Sequence, residues 1–349
     1  MKTCHFIAIA ILLFSFTSTA QTIHRLTTET QYGFIIPHAS DLKQFSNSRT
    51  TGLHFSWQVM NTKKNYWEAC HCFHYLGARF SYIDFGDEDV LGEAFTLSGT
   101  FEPVLWRKNN WAVNLNSGIG ITYLTHTYDP ETNPTNNFFS TKISFLLFVA
   151  PTFEYHFSKK WRAHLSLNYN HISNGGQDKP NRGMNFPQAG AGVSYHFNHA
   201  SLPQYSGKAP RDNWLFWLES GLTMRNVGVS NEKHPSVSVV GGGLRRTSNV
   251  NAIGVGVEVN QDYSLQKRSG DYGKTISAPF ISHHFLLGRF DFSQRMAWYY
   301  HQPEVLSEHR FYQRYVLFFE IYSGLRIGFS LKAHGHVASN LDLRLGWQF

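Results

Sequence analysis

The chain has 349 residues, of which 16% are charged and 16% aromatic, with 28 glycines against 12 prolines and a net charge of +7. A disordered chain carries much charge and few aromatics, and a helical array is rich in Ala, Glu, Lys and Leu, so both classes are excluded. After the N-terminus no apolar run approaches the ~18 residues that a membrane-spanning helix needs. What is left is a β protein, and the Gly-rich, aromatic-rich pattern of short apolar stretches suits an outer-membrane barrel.

Taken in chain order, residues 1–20 read as an export signal. Lys2 begins it, Phe6 to Phe16 is apolar apart from Ser15, and Ser18-Thr19-Ala20 supplies small residues before a cut ahead of Gln21. The apolar stretch is too short to serve as an anchor. The basic excess suits an anionic membrane surface and equally suits ordinary loop solubility. Nothing in the pattern points to nucleic acid.

The mature sequence alternates. Strands are expected near 29–37, 51–60, 73–83, 94–105, 111–123, 141–157, 161–173 and 185–197. A second set is expected near 213–225, 235–246, 250–260, 276–288, 290–300, 311–322, 324–335 and 339–349. In 53–60, Leu53, Phe55, Trp57 and Val59 oppose His54, Ser56, Gln58 and Met60. Successive side chains of a strand point to opposite faces. The apolar rows are large and aromatic and the opposite rows polar and small, so the greasy face belongs on lipid and the polar face in the lumen. The last strand follows the same rule: Leu341, Leu343, Leu345, Trp347 and Phe349 alternate with Asn340, Asp342, Arg344, Gly346 and Gln348. The fold expected is all-β: an antiparallel transmembrane β-barrel of about 16 strands. Residues 198–212, with Pro203, Gly207 and Pro210, read as a linker between a half at 21–197 and a half at 213–349. Closure as one barrel and closure as two eight-stranded halves both satisfy the pattern.

Familiar catalytic signatures are absent: no HExxH, no P-loop, no G-x-S-x-G. Cys70 and Cys72 are spaced C-x-C, which is not a zinc-ribbon pattern, and their redox state is left open. The segment that stands apart is 161–174. Its odd positions, Trp161, Ala163, Leu165, Leu167 and Tyr169, form a lipid-facing row that ends in His171 and Ser173. Residues two apart on one face have Cα atoms ~6.5–7 Å apart, which lets an imidazole and a hydroxyl meet as a base and a nucleophile. Asn185 begins the next strand on the same face, beside His171, where an amide can fix the imidazole tautomer. Asn174 and the N–H groups of Gly175 and Gly176 sit where an oxyanion hole can form. With strands counted from the periplasm, the pair lies near the outer leaflet, and the substrate class for such a site is an acylated membrane lipid. In the second half, His334 and His336 fall on the lumen face and Ser339 has Val337 rather than His at i−2, so no second active site is expected.

The run HISNGGQDKPNRGMN at 171–185, followed by a Gly-rich strand ending SYHF, resembles the PagL-type lipid A 3-O-deacylases, a family also labelled acyloxyacyl hydrolase. The family pattern is H-x-S-N, then P-N-x-G, then a carboxylate two positions on. His171, Ser173 and Asn174 match the base, the nucleophile and the following Asn, and Pro180, Asn181 and Gly183 match the loop. Asn185 departs, because the family's enzymes carry Glu there. The resemblance spans roughly 29–197. It implies a metal-independent and cofactor-independent serine esterase of the bacterial outer membrane, acting on lipid A or lipopolysaccharide. The competing reading is a non-enzymatic barrel, either a porin-like channel or a pseudoenzyme. A surface adhesin is weaker, given the modest loops.

Overall fold

The computed structural model describes residues 22–175, 178–198, 202–206, 214–226, 232–265, 275–302, 309–335 and 337–349. The expected export signal and Gly176 lie outside these residues, as does most of the 198–212 linker.

Sixteen antiparallel strands close into two separate barrels of eight. The first contains β1 (Thr22–Phe34), β2 (Arg49–Asn61), β3 (His74–Asp84), β4 (Glu93–Lys108), β5 (Trp111–Leu124), β6 (Ile143–His156), β7 (Trp161–Ser173) and β8 (Met184–His196). It closes where β1 pairs with β8, with Thr30 opposite Ala191. The second contains β9 (Trp214–Asn226), β10 (Lys233–Arg246), β11 (Asn251–Asp262), β12 (Thr275–Leu287), β13 (Phe290–Trp298), β14 (Phe311–Tyr322), β15 (Leu325–His334) and β16 (Val337–Gln348). It closes through β16 and β9, with Leu343 opposite Leu222. Pairing by sequence neighbours followed by one closing contact leaves neither barrel an open edge.

The expected alternation is visible in burial. On β16, Asp342 and Arg344 are buried while Leu343, Leu345 and Trp347 are exposed on the outer wall. A ring of aromatic contacts marks one rim: Trp111 lies against Phe153 and Tyr155, and Trp161 against Tyr195, which also meets Phe197. Short turns such as 109–110, 157–160, 288–289 and 323–324 lie at this end, and the long connections 35–48, 125–142 and 174–183 lie at the other. Outer-membrane barrels keep short turns in the periplasm and long loops outside, which orients the molecule. One strand is misplaced in the sequence reading. β1 begins at Thr22 rather than near 29, because its outward row of Leu26, Thr28 and Thr30 gives little hydrophobic contrast. The helix α1 (Lys64–Cys70) in the β2–β3 connection and a 3-10 turn at Ser40–Phe45 carry no period-2 signal and were not anticipated.

Both lumens are filled. In the first barrel Arg25 bonds Glu102 at 2.5 Å and Glu154 at 3.3 Å, and Arg162 reaches Glu154 at 2.9 Å. In the second, Glu219 is shared by Arg295 at 2.6 Å and Arg344 at 2.7 Å, while Arg314 pairs with Glu258 at 2.6 Å and with Asp342. Removing one partner of such a buried pair strands the other charge, at a cost of about 3–5 kcal/mol. The outer mouth of the first barrel is also sealed by an apolar plug in which Leu42, Phe45, Phe85, Phe138 and Phe139 from the loops meet Ile172, Met184 and Phe186 from β7 and β8. Purified protein reconstituted in a planar bilayer is therefore expected to pass no steady open-channel current. Porin-sized conductance steps would contradict the filled lumens.

Candidate active site on the membrane-facing wall

β7 and β8 meet at the outer rim, and their parity decides which side chains face lipid. Inward, Ile172, Met184 and Phe186 are fully buried in the plug and clamp the two strand ends. Each such side chain contributes roughly 1.5–3 kcal/mol of burial. Outward, Leu165, Leu167 and Tyr169 are exposed, and His171 and Ser173 end this row half-buried. His171 lies directly opposite Asn185 in the β7–β8 register.

His171 Nδ1 and Asn185 Oδ1 are 2.7 Å apart. With the amide oxygen as acceptor, Nδ1 carries the ring proton and Nε2 is left as the basic nitrogen. The backbone of Asn185 is itself held, because its carbonyl accepts from the N–H of Ile36 at 2.9 Å. Gly183 makes room for the ring: its φ is +67°, and a Cβ there would come within 3.0 Å of His171 Cε1.

Ser173 does not bond the imidazole in this conformation. Its Oγ accepts from Asn181 Nδ2 at 3.0 Å and from the Gly175 N–H at 3.1 Å. Asn174 is buried, and its side-chain amide donates to Ser140 Oγ at 3.0 Å and to the Asp178 carbonyl at 3.1 Å. Its backbone N–H donates to Asn181 Oδ1 at 3.3 Å. The structure thus brings His171 and Asn185 together, places Ser173 on the same face under the grip of Asn181 and Gly175, and turns Asn174 into the loop. Two participants were not given roles in the sequence reading. Asn181 was noted only as part of the P-N-x-G run, and Ser140 comes from the distant 125–142 loop with no local signal.

Below the pair runs a furrow in the outer wall. Its floor is Pro187 and Ala189 of β8. Tyr169 and Leu167, their register partners on β7, form one bank, and Tyr32, opposite Ala189 on β1, forms the other. Arg49 stands exposed among its upper lining residues. On the far side of the site, the second barrel approaches. A Cβ at Gly175, whose φ is +71°, would lie 3.2 Å from Leu341 Cδ2 on the outer face of β16.

The second half holds an unexpected pair. A register shift at Lys332/Ala333 skews the β15–β16 hairpin and brings His334 Nδ1 within 2.7 Å of Ser339 Oγ. An i−2 rule along one strand misses such a cross-strand contact. The other ring nitrogen bonds Tyr299 Oη at 2.8 Å, and the His309 ring stacks at 4.1 Å. Both nitrogens are thereby engaged, on the lumen side rather than on the wall.

Residues 27–194 match the family model described as lipid A 3-O-deacylase (PagL), and residues 213–349 match that described as acyloxyacyl hydrolase, C-terminal domain. Two models of the PagL family thus take up 27–194 and 213–349 of the chain. Its first barrel corresponds to the family's deacylase portion and its second to the family's C-terminal domain. The family places the protein in the bacterial outer membrane, in agreement with the two barrels. Among solved structures, the outer membrane enzyme PagL aligns at 15% identity over 48% of this chain and 97% of that one, with a TM-score of 0.36. A mutant of the Rh. blastica porin aligns at 10% identity over 94% of this chain and 100% of that one, with a TM-score of 0.24. No curated protein sequence matches the chain.

Proposed function

We propose that this protein is a working lipid A deacylase that hydrolyses an ester-linked acyl chain at His171, Ser173 and Asn185. The observation that carries the reading is the 2.7 Å bond between His171 and Asn185 on the membrane-facing wall, with Ser173 on the same face. The Ser173 hydroxyl turns from Asn181 towards His171 Nε2 once an ester is seated, since catalytic hydrogen bonds commonly form only in the substrate complex. Oγ attacks the acyl carbonyl and its proton passes to Nε2. The Gly175 N–H, released from Oγ, is the donor nearest to the oxyanion that develops. Collapse expels the sugar hydroxyl, which takes the proton back from the imidazolium. A water then attacks the acyl-serine by the same relay and frees the fatty acid. No step needs a metal or a cofactor.

The furrow supports the same reading. An acyl chain laid on Pro187 and Ala189 between Tyr169 and Tyr32 leads its ester up to Ser173, and each methylene covered there is worth ~0.8 kcal/mol if it leaves water. For a chain that comes from lipid the gain is smaller, so the furrow serves chiefly to align. Arg49 at the furrow's upper end is placed to meet a lipid A phosphate.

Asn181→Ala tests the resting state. It removes the grip on Ser173 and on the Asn174 N–H. Turnover is expected to hold or to rise severalfold, with little change in KM, because the lost bond holds the hydroxyl away from His171 and is broken before attack. A purely raised KM would assign Asn181 to lipid binding instead. The direct test of the whole proposal is the comparison of lipid A from cells making the wild-type protein and from cells making Ser173→Ala.

A further inference from the structure

We propose that Cys70, Cys72 and His74 form a periplasmic site for a thiophilic cation, loaded when the cysteines are reduced and empty when they are bridged. This corner lies at the opposite end of the barrel from Ser173 and does not depend on the hydrolytic reading.

The sequence CHCFH sets three soft donors at every second position. Cys70 ends α1, and His71 reverses the chain in the left-handed region with φ 50°. That reversal gathers the ligand atoms of Cys70, Cys72 and His74 to within 4.8 Å of one another. In the structure the two cysteines are bridged, with Cα atoms 5.1 Å apart. The bridge encloses a single residue, and on the chain-entropy account a loop that short stabilises least. Helix α1 is in any case held by its surroundings, with the Trp67 ring 5.6 Å from Tyr205. A structural staple therefore does not explain the pair.

The geometry fits a metal better. His74 Nδ1 is 3.3 Å from Cys70 Sγ. A tetrahedral zinc with Zn–S ~2.3 Å and Zn–N ~2.0 Å has an S···N edge of about 3.5 Å, so this edge is already present. The two sulfurs need only part to about 3.8 Å, which side-chain rotation at i and i+2 supplies. Two thiolates and an imidazole select Zn2+ or Cu+ over Mg2+ or Ca2+, which take oxygen ligands. Cys70 is buried and the other two are half-buried, so a fourth position can be taken by water. The ring of His71 sits beside Trp67, and its Nδ1 is buried without a hydrogen-bond partner in the structure, which makes it a candidate for outer-sphere contact.

The chemistry balances with a dithiol as reductant. The dithiol gives two hydrogens to the Cys70–Cys72 bond, yielding two thiols and one cyclic disulfide. The cation then displaces the two thiol protons and takes the His74 Nδ1 lone pair. In an oxidising compartment the bridge is the default, so loading reports reducing conditions.

The test uses the full-length protein in detergent, reduced without oxygen, freed of reductant and titrated with Zn2+ against a chromophoric chelator. One equivalent is expected to bind to reduced protein and none to oxidised protein. His74→Ala should weaken binding at least tenfold, and the double variant Cys70→Ser, Cys72→Ser should abolish it. Cobalt substituted for zinc should show thiolate charge-transfer absorption. Heat-modifiable migration on gels verifies that each variant keeps its barrel. Equal zinc uptake by reduced and oxidised protein, or by His74→Ala and wild type, overturns the proposal.

Discussion

Ser173→Ala is expected to abolish deacylation, lowering turnover by at least about three orders of magnitude, as the loss of a covalent nucleophile does. The substitution removes one hydroxyl that accepts from Asn181 and Gly175 and leaves the buried neighbours Ile172 and Met184 in place. The barrel should therefore still fold, and heat-modifiable migration can verify it. Mass spectrometry of lipid A from cells expressing each form supplies the readout. Wild type should yield a species lacking one ester-linked chain, and the variant should not. Indistinguishable acylation patterns with two folded proteins would leave a structural barrel as the remaining reading.

Asn185→Glu is the second large effect, and its sign is positive. Asn185 already does half of an orienting residue's task, because its Oδ1 fixes the His171 tautomer at 2.7 Å. It cannot offset the imidazolium charge that the proposed attack by Ser173 would create. In a triad whose acid is replaced by its amide, turnover falls by ~10⁴, chiefly because the wrong tautomer is imposed. Here the tautomer is right, so only the charge contribution is missing, and restoring a carboxylate should raise turnover by roughly ten- to a hundredfold. Asn185→Leu, which removes the acceptor altogether, should fall below wild type. A glutamate variant no faster than the leucine variant would mean that position 185 does not communicate with the imidazole.

Much of this was legible in the residues, for a physical reason. A barrel wall imposes period-2 alternation, so β7 and β14 could be delimited at 161–173 and 311–322, and the outward placement of His171 and Ser173 followed from parity alone. What period 2 does not encode was missed or left open. The start of β1 was lost where threonines replace the greasy row. Closure into two barrels depends on β1 finding β8 and β9 finding β16, contacts with no local signature. The hold of Asn181 on Ser173 arises from the course of a loop, and the His334–Ser339 contact from a bulge. The register that sets His171 against Asn185 was accessible because a hairpin fixes it.

The contact of Leu341 with Gly175 gives the molecule a handedness in the plane of the leaflet. Leu341 of β16 stands beside Gly175 on one side of Ser173, and the furrow along β8 runs below it. On the proposed function, a glycolipid would bring its ester to Ser173 along the furrow rather than past Leu341, and a neighbouring protein packed against the furrow would block it without touching His171 or Ser173.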